Sequence, residues 1–316
     1  MARQSAPPQG ARNYKRNILL LAIFLLLLYV VVPHVGEFNT SLSSIRHADG
    51  GWVAVCLAAL LVSYAVAATT YVLLAKHRLK YFPTVLVEAA SMFTNRLLPA
   101  GAGAIGINYA YLRRNRHTRP EAAGVVATNN LLGFAGHALL LLVVLAVVGG
   151  HVLAFSMPDR HQLVVGGIIA LVLIMGAYVG LRLKRGVIAD FVRRTFAMII
   201  AYHKHPGRLA AALASSVVLT SAYVLSLYAA SRGVGVQIPL VDVFVVLTLG
   251  VAGGTVLPTP GGLGGAEASI VGGFMLYGVS DAKALAAALL YRLFTYWLAF
   301  LLGALSFVAA QKKNYI

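Results

Sequence analysis

The chain has 316 residues, 59% of them hydrophobic and only 11% charged, with 26 Lys and Arg against 9 Asp and Glu for a formal net charge of +17. Soluble domains carry roughly a quarter charged residues, so a water-solvated fold is excluded, and the mean hydropathy of +0.81 makes lipid the solvent. The cation excess would suit nucleic acid, but the basic residues fall in short loops between apolar runs, with no aromatic-interleaved recognition motif, which excludes that partner.

Residues 1–17 form a basic tail with Arg3, Arg12, Lys15 and Arg16. The apolar run Ile18 to Val35 follows it with no small-residue cleavage site behind, so it reads as a retained helix rather than a signal peptide. Trp52 to Ala75 is the next span, and it carries Cys56, the sole cysteine, so no internal disulfide can form. Lys76, Arg78 and Lys80 then mark a cytoplasmic loop, because cations near helix ends stay inside.

The segment 82–112 is apolar but broken at Leu98-Pro99-Ala100-Gly101-Ala102-Gly103. Arg113, Arg114, Arg116 and Arg119 follow it, which places both of its ends on the same side. Arms of roughly 15 residues rise about 22 Å, too short for a full span. The segment reads as a re-entrant hairpin. Ala122 to Val148 closes a first membrane repeat, 18–150.

The second repeat, 151–310, opens with the span Leu163 to Leu181. Between Arg182 and Arg208, the residues Val187, Ile188, Phe191, Val192, Phe196 and Ile199 recur at helical spacing among basic residues, the pattern of an interfacial amphipathic helix. Leu209 to Ala230 spans again. The segment 240–277 is broken at Pro258-Thr259-Pro260-Gly261-Gly262-Leu263-Gly264-Gly265, half a chain after the first break, and Ala284 to Ala309 ends the repeat before the basic tail 311–316. Counting spans, this second hairpin enters from the outside. Arg46, Arg160, Arg232 and Lys283 fall on that outer side, whereas both termini are cytoplasmic.

The fold class is therefore all-α: a polytopic membrane protein with about six full transmembrane helices and two re-entrant hairpins in an inverted repeat, the architecture of many secondary transporters. Irregular backbone at membrane depth is tolerated only where protein or a wet cavity covers it. The glycine-rich tips are thus expected to line a cavity; the alternative is that their glycines only permit tight packing.

Intramembrane ionisable residues are functional candidates. Glu88 and Arg96 lie in the first hairpin, Asp242 at the entry of the second, Glu267 behind its glycine run and Arg292 in the last helix. Two readings stay open for Arg292: a structural pair with Glu267, or capture of a phosphate jointly with Arg96, for which the planar guanidinium fork is suited and to which half-helix N-termini would add positive dipole ends. Asn129 and Asn130 can bond across helices or into the cavity, and a proton could couple through Glu88 or Glu267. His137 reads as a packed histidine. No metal-ligand spacing, P-loop or converging catalytic set occurs in the sequence, and the Gly-Gly-Leu-Gly-Gly run follows no strand, so neither an enzyme nor a cofactor is expected.

Asn95-Arg96-Leu97-Leu98-Pro99-Ala100-Gly101-Ala102-Gly103, Pro258-Thr259-Pro260-Gly261-Gly262-Leu263-Gly264-Gly265-Ala266-Glu267 and Leu289-Leu290-Tyr291-Arg292-Leu293 resemble the lysylphosphatidylglycerol synthase transmembrane region, or flippase-like domain, over roughly Tyr14 to Ala309. The resemblance implies a membrane unit that flips aminoacylated phosphatidylglycerol or related lipids, with aminoacyl transfer performed by a separate soluble domain. A chain that ends at Ile316 is expected to lack that activity. Asn129-Asn130 stand where the family often has Glu-Arg, and Gly265-Ala266-Glu267 replace its usual Val-Arg-Glu.

The expected function is a lipid flippase-like transporter for a phosphate-bearing lipid, aminoacylated or polyprenyl, in a bacterial or archaeal inner membrane. Arg96, Pro99, Gly101, Gly103, Asn129, Asn130, Pro258, Pro260, Gly261, Gly262, Gly264, Glu267 and Arg292 are its candidate cavity residues. The competing expectation is a non-transporting membrane partner that scaffolds a lipid-modifying or glycosyl-transferring enzyme. Membrane lipids, a synthase or transferase, and a second copy of the chain are the partners open to it.

Overall fold

The computed structural model describes residues 43–98, 101–148, 206–256 and 262–316. The N-terminal tail, the spans expected at Ile18 to Val35 and Leu163 to Leu181, the amphipathic stretch Val187 to Ile199, and Pro99, Pro258, Pro260 and Gly261 lie outside the described residues. The described regular structure is helical: α1 (Gly50–Leu74), α2 (Tyr81–Leu97), α3 (Ala102–Arg114), α4 (Arg119–Val148), α5 (Pro206–Gly233), α6 (Leu240–Val256), α7 (Gly265–Leu276), α8 (Asp281–Arg292), a π-helical turn (Leu293–Leu298) and α9 (Ala299–Lys312).

Among the described residues four helices are long and apolar enough to cross a membrane: α1, α4, α5 and the continuous rod Asp281–Lys312 formed by α8, the π turn and α9. Between them sit the two expected interruptions. The first pair of short helices runs from Tyr81 to Arg114 and the second from Leu240 to Leu276. Long helix, two short helices, long helix is thus described twice in chain order.

The first helices of the two sets, α1 and α5, pack antiparallel. Asp49 N–H donates to the Gly233 carbonyl at 3.1 Å, the Cys56 thiol to the Ser226 carbonyl at 3.4 Å, Thr70 Oγ1 to Ser215 Oγ at 3.0 Å, and Arg208 Nη2 to the Ala75 carbonyl at 3.0 Å. The seam is made of small residues, Ala59, Ser63, Ala67 and Ala68 against Ser215, Ala222, Ser226 and Ala229, all buried. In lipid no hydrophobic drive separates helix from solvent, so close backbone approach and buried hydroxyl contacts have to supply the association. Phe82, Phe134, Leu142 and Leu305 point outward and are mostly exposed, as an apolar solvent permits.

Two apolar clusters close the ends. Leu74, Leu79, Tyr111, Leu112, Ala122, Ala212 and the C-terminal pair Tyr315 and Ile316 gather at one end. Trp52, Val234, Val243, Phe274, Ala284 and their neighbours gather at the other. The base of the first hairpin therefore lies at one end of the bundle and the base of the second at the opposite end. The loops carrying Lys76 to Lys80 and Arg113 to Arg119 share the first end with Arg208 and the C-terminus, whereas Lys283 contacts Gly235 at the second, 3.4 Å from Nζ to the carbonyl.

At the first end a polar clamp ties the hairpin base to its flanking loops. His117, buried in the loop before α4, has Nδ1 at 3.1 Å from the Leu112 carbonyl and 3.0 Å from that of Asn115, while its Nε2 accepts the His77 N–H at 3.3 Å. Lys76 and Glu121 pair beside it at 2.6 Å. Burial holds the His117 imidazole below the usual histidine range, and the neutral ring is the form that can accept from His77. The unfolded chain takes up a proton at about pH 6.5 and the folded one only at lower pH, so this contribution to stability is present above that value and lost as pH falls below it. The thermal midpoint in detergent is expected to drop on mild acidification, and His117→Gln to flatten the drop; an unchanged slope would remove the clamp from the account.

The ends also predict accessibility. In a Cys56→Ala background, single cysteines at Lys80 and Arg113 should label from one face of sealed vesicles, and those at Arg46 and Lys283 from the other. Labelling of Lys80 and Arg113 from opposite faces would contradict the hairpin.

Candidate functional site

Next to each break, Arg96 of the first hairpin and Glu267 of the second reach the middle of the rod Asp281–Lys312. Their convergence follows from backbone features at each tip. Gly101 enters α3 with φ +77°, and a Cβ on Gly103 would stand 2.0 Å from the Thr94 carbonyl oxygen of the other arm. No side chain fits at Gly103, so the arms can close only on glycine. In the second hairpin Gly262 and Gly264 have φ +69° and +85°, and the Gly264 N–H, the first orphan donor of α7, donates to Glu267 Oε2 at 2.8 Å. Glu267 is thus held at the N-terminus of a half-helix, where a carboxylate also meets the positive dipole end.

The other oxygen of that carboxylate, Oε1, accepts from Arg292 Nε at 2.6 Å, with both side chains largely buried, 12% exposed for Arg292 and 19% for Glu267. This is the pairing that the sequence left open. Arg292 lies over the ring of Tyr296, 4.5 Å from its centroid. Arg96, arriving from the first hairpin, lies over the same ring at 5.3 Å. Its Nη1 donates to the Met92 carbonyl at 2.6 Å and its Nη2 to the Thr295 carbonyl. The two halves therefore meet on one turn, with two guanidinium groups close to one tyrosine ring.

That turn is the π-helical one, Leu293–Leu298. A π turn carries one residue more than an α turn and loosens the backbone ladder, and such turns concentrate at functional sites. Here it offers the Thr295 carbonyl to a donor from another helix.

Placing a guanidinium in hydrocarbon costs about 2.5–3.5 kcal/mol on insertion scales. For Arg96, two hydrogen bonds from a charged donor at about 1.5–3 kcal/mol each and a cation–π contact of about 0.5–2 kcal/mol are of the size needed to offset it. They do not cancel the charge. Among the described residues Glu267 is the carboxylate at this turn and it is engaged by Arg292, so Arg96, Arg292 and Glu267 together keep one positive charge. Arg96 Nε is also buried with no acceptor among the described residues.

Beside this turn lies a cavity of about 310 Å³, lined by Arg96, Leu97, Tyr296, Trp297 and Phe300. Leu97 and Trp297 of its lining are about half exposed, so it opens sideways, toward the surface that an apolar solvent covers. A cationic floor with an apolar, aromatic mouth is the shape expected for an anionic headgroup whose chains stay outside.

The remaining candidates distribute differently. Asn129 turns away from this cavity, and its Nδ2 donates to Tyr71 Oη at 3.4 Å; Asn130 is exposed. Glu88 is buried on α2, with Asn108 of α3 in hydrogen-bonding reach, and belongs to the Tyr71 neighbourhood rather than to the arginine pair. His137 packs on Phe244 with Nε2 at 3.1 Å from Thr248 Oγ1, a packed histidine as expected. Tyr296, Trp297 and Phe300 were not among the residues singled out from the sequence. Their signal was Tyr296 one helical turn after Arg292, the spacing at which a cation and a ring share a face.

A family model described as the lysylphosphatidylglycerol synthase TM region matches residues 17–303. No curated protein matches the chain.

The geometry makes Arg292 and Glu267 interdependent. Glu267→Gln strands a mostly buried guanidinium and should destabilise the protein by about 2–3 kcal/mol, somewhat under the cost of breaking a fully buried pair. Glu267→Gln combined with Arg292→Gln should recover part of that loss in a double-mutant cycle read by thermal unfolding. Additive losses would show that the two residues do not depend on one another.

Proposed function

The chain belongs to the lysylphosphatidylglycerol synthase TM region family, a membrane- and lipid-related flippase-like family, and from that premise we propose that it moves a phosphate-bearing lipid across the bilayer without chemically altering it. The observation that carries this reading is that Arg96 and Arg292 both approach the ring of Tyr296, 5.3 and 4.5 Å from its centroid, beside a laterally open cavity that Arg96 and Tyr296 line. Lipid is drawn by its phosphate to the residual positive charge while its chains remain in the membrane. Guanidinium suits the task because it offers parallel donors to two phosphate oxygens.

Two broken hairpins based at opposite ends give the site access from either leaflet. In this reading the described sets of helices are the halves of an inverted repeat, and rocking of one hairpin against the other exposes the Tyr296 turn alternately to each side. The Lys- and Arg-rich end, with Lys76 to Lys80, Arg113 to Arg119, Lys312 and Lys313, faces the cytoplasm. The charge that Arg96, Arg292 and Glu267 keep matches one phosphodiester, so an aminoacylated or anionic glycerophospholipid fits better than a doubly charged diphosphate carrier.

The test is reconstitution in vesicles of phosphatidylethanolamine and phosphatidylglycerol, with a leaflet-accessibility assay on fluorescent phosphatidylglycerol and phosphatidylethanolamine. Arg292→Lys and Arg96→Lys should each assemble and retain charge, yet slow lipid movement by about tenfold or more, since loss of one bidentate charge-assisted contact is worth about 1.5–3 kcal/mol. Wild-type rates in both Arg292→Lys and Arg292→Gln would end the proposal.

A further inference from the structure

A second polar site lies one helix layer away from the arginine pair, and phosphate capture does not use it. Glu88 is 4% exposed, in the middle of α2, and its Oε1 is buried with no hydrogen-bond partner. Asn108, 2% exposed on α3, stands within hydrogen-bonding reach of Glu88, and its Oδ1 also lacks a partner. Two buried acceptors on neighbouring side chains thus stand without a donor, and a proton on the carboxyl would supply one. Each unpaired acceptor costs on the order of 1–3 kcal/mol, and an ionised carboxylate in this setting would cost more.

The surroundings offer no cation to meet that charge. α1 faces Glu88 with Tyr71, α3 with Asn108 and Tyr111, and α5 with Tyr223. α4 joins through Asn129, bonded to Tyr71. α9 covers the other side of α2 with Phe300, Gly303 and Phe307 around Phe93. On α2 itself Arg96 stands two turns further on, about 12 Å along the axis, where it is taken up by Tyr296.

Two features connect this carboxyl to the rest of the protein. Toward the first end, the Tyr111 hydroxyl and Thr84 Oγ1 are 2.9 Å apart, and Thr84 Oγ1 donates to the Lys80 carbonyl at 2.8 Å, at the exposed base of the hairpin. Toward the middle, Tyr223 lies close enough to feel the charges of both Glu88 and Arg96. A side chain that senses both sites is the contact through which occupancy of one can bias the other.

We propose that Glu88 is the proton-carrying residue of the transporter: its carboxyl is protonated in the resting state, donates to Asn108 Oδ1, and exchanges that proton with the hairpin base past Tyr111 and Thr84 as lipid moves. One proton satisfies both orphaned acceptors. Its departure leaves a carboxylate that Tyr71 and a turned Asn108 amide can stabilise by donation, and it changes the field at Tyr223 and hence at Arg96. This inference rests on the lipid-moving reading for its consequence, but not for the protonation itself.

The test therefore has two arms. Infrared difference spectra of wild type, Glu88→Gln and Arg292→Lys in lipid nanodiscs, titrated in pH, report the carboxyl directly. Wild type and Arg292→Lys should show a protonated-carboxyl band at neutral pH that Glu88→Gln lacks; its absence from wild type, or its persistence in Glu88→Gln, overturns the proposal whatever the lipid result. In vesicles of phosphatidylethanolamine and phosphatidylglycerol, the wild-type rate for fluorescent phosphatidylglycerol should vary with pH with a slope approaching about tenfold per unit, as for one linked proton, and Glu88→Gln should be flat. A rate that follows sodium at fixed pH, or a wild-type rate indifferent to pH, also overturns it, whereas movement in Arg292→Lys at the wild-type rate strikes only the phosphate site. Should Glu88→Gln fail to assemble, Tyr71→Phe is expected to keep the infrared band and shift its titration; an identical titration would count against the network.

Discussion

A charged or unpaired polar group inside hydrocarbon has to find its partner within the protein, and every distinctive feature of this chain follows from that constraint. Interrupting a helix at membrane depth frees backbone donors and acceptors that water cannot reach. The two interruptions meet this in different ways. The first closes its arms on Gly103 so tightly that a Cβ would collide with the Thr94 carbonyl, whereas the second lends its first orphan N–H to Glu267. Both solutions leave a cationic side chain near the tip, and both cations go to the same ring, Tyr296.

From this convergence comes a division of labour. Arg292 is neutralised by Glu267 and anchors the second hairpin to the rod. Arg96 is solvated by carbonyls from its own helix and from the opposite half, so it is stable without losing its charge. The surplus positive charge sits where the cavity opens sideways. Glu88 lies on the same helix as Arg96 but in another neighbourhood, lined by tyrosines and an asparagine rather than cations. Tyr223 is near both, a short physical path between the proposed phosphate site and the proposed proton site.

Much of this was legible in the sequence because lipid simplifies the reading. Spacing of apolar runs and cations pointed to the four described long helices, and Gly101 and Gly103 with Gly262 and Gly264 stand where the described short helices are interrupted. The pairing of Glu267 with Arg292 was one of two readings left open. What could not be read was which faces turn toward which neighbours. Asn129 sits on an apolar helix with no period to say that it bonds Tyr71 rather than the arginine cavity. Tyr296, Trp297 and Phe300 look like ordinary membrane aromatics until the π turn places them beside two arginines. The partnership of Glu88 with Asn108 joins two arms of one hairpin, and its register depends on how closely Gly103 lets them approach.

The central claim is that two guanidinium groups, Arg96 of the first hairpin and Arg292 of the rod, share one lipid phosphate at the Tyr296 turn. The most direct measurement is a solid-state magnetic-resonance dephasing experiment between guanidinium nitrogen-15 of labelled arginine and phosphorus-31 of bound phosphatidylglycerol, in wild type and in Arg96→Lys and Arg292→Lys. The account predicts a short-range nitrogen–phosphorus coupling in wild type that weakens in each single variant and disappears when both are replaced. A coupling that survives the double replacement, or none in wild type under conditions where lipid moves, would contradict it.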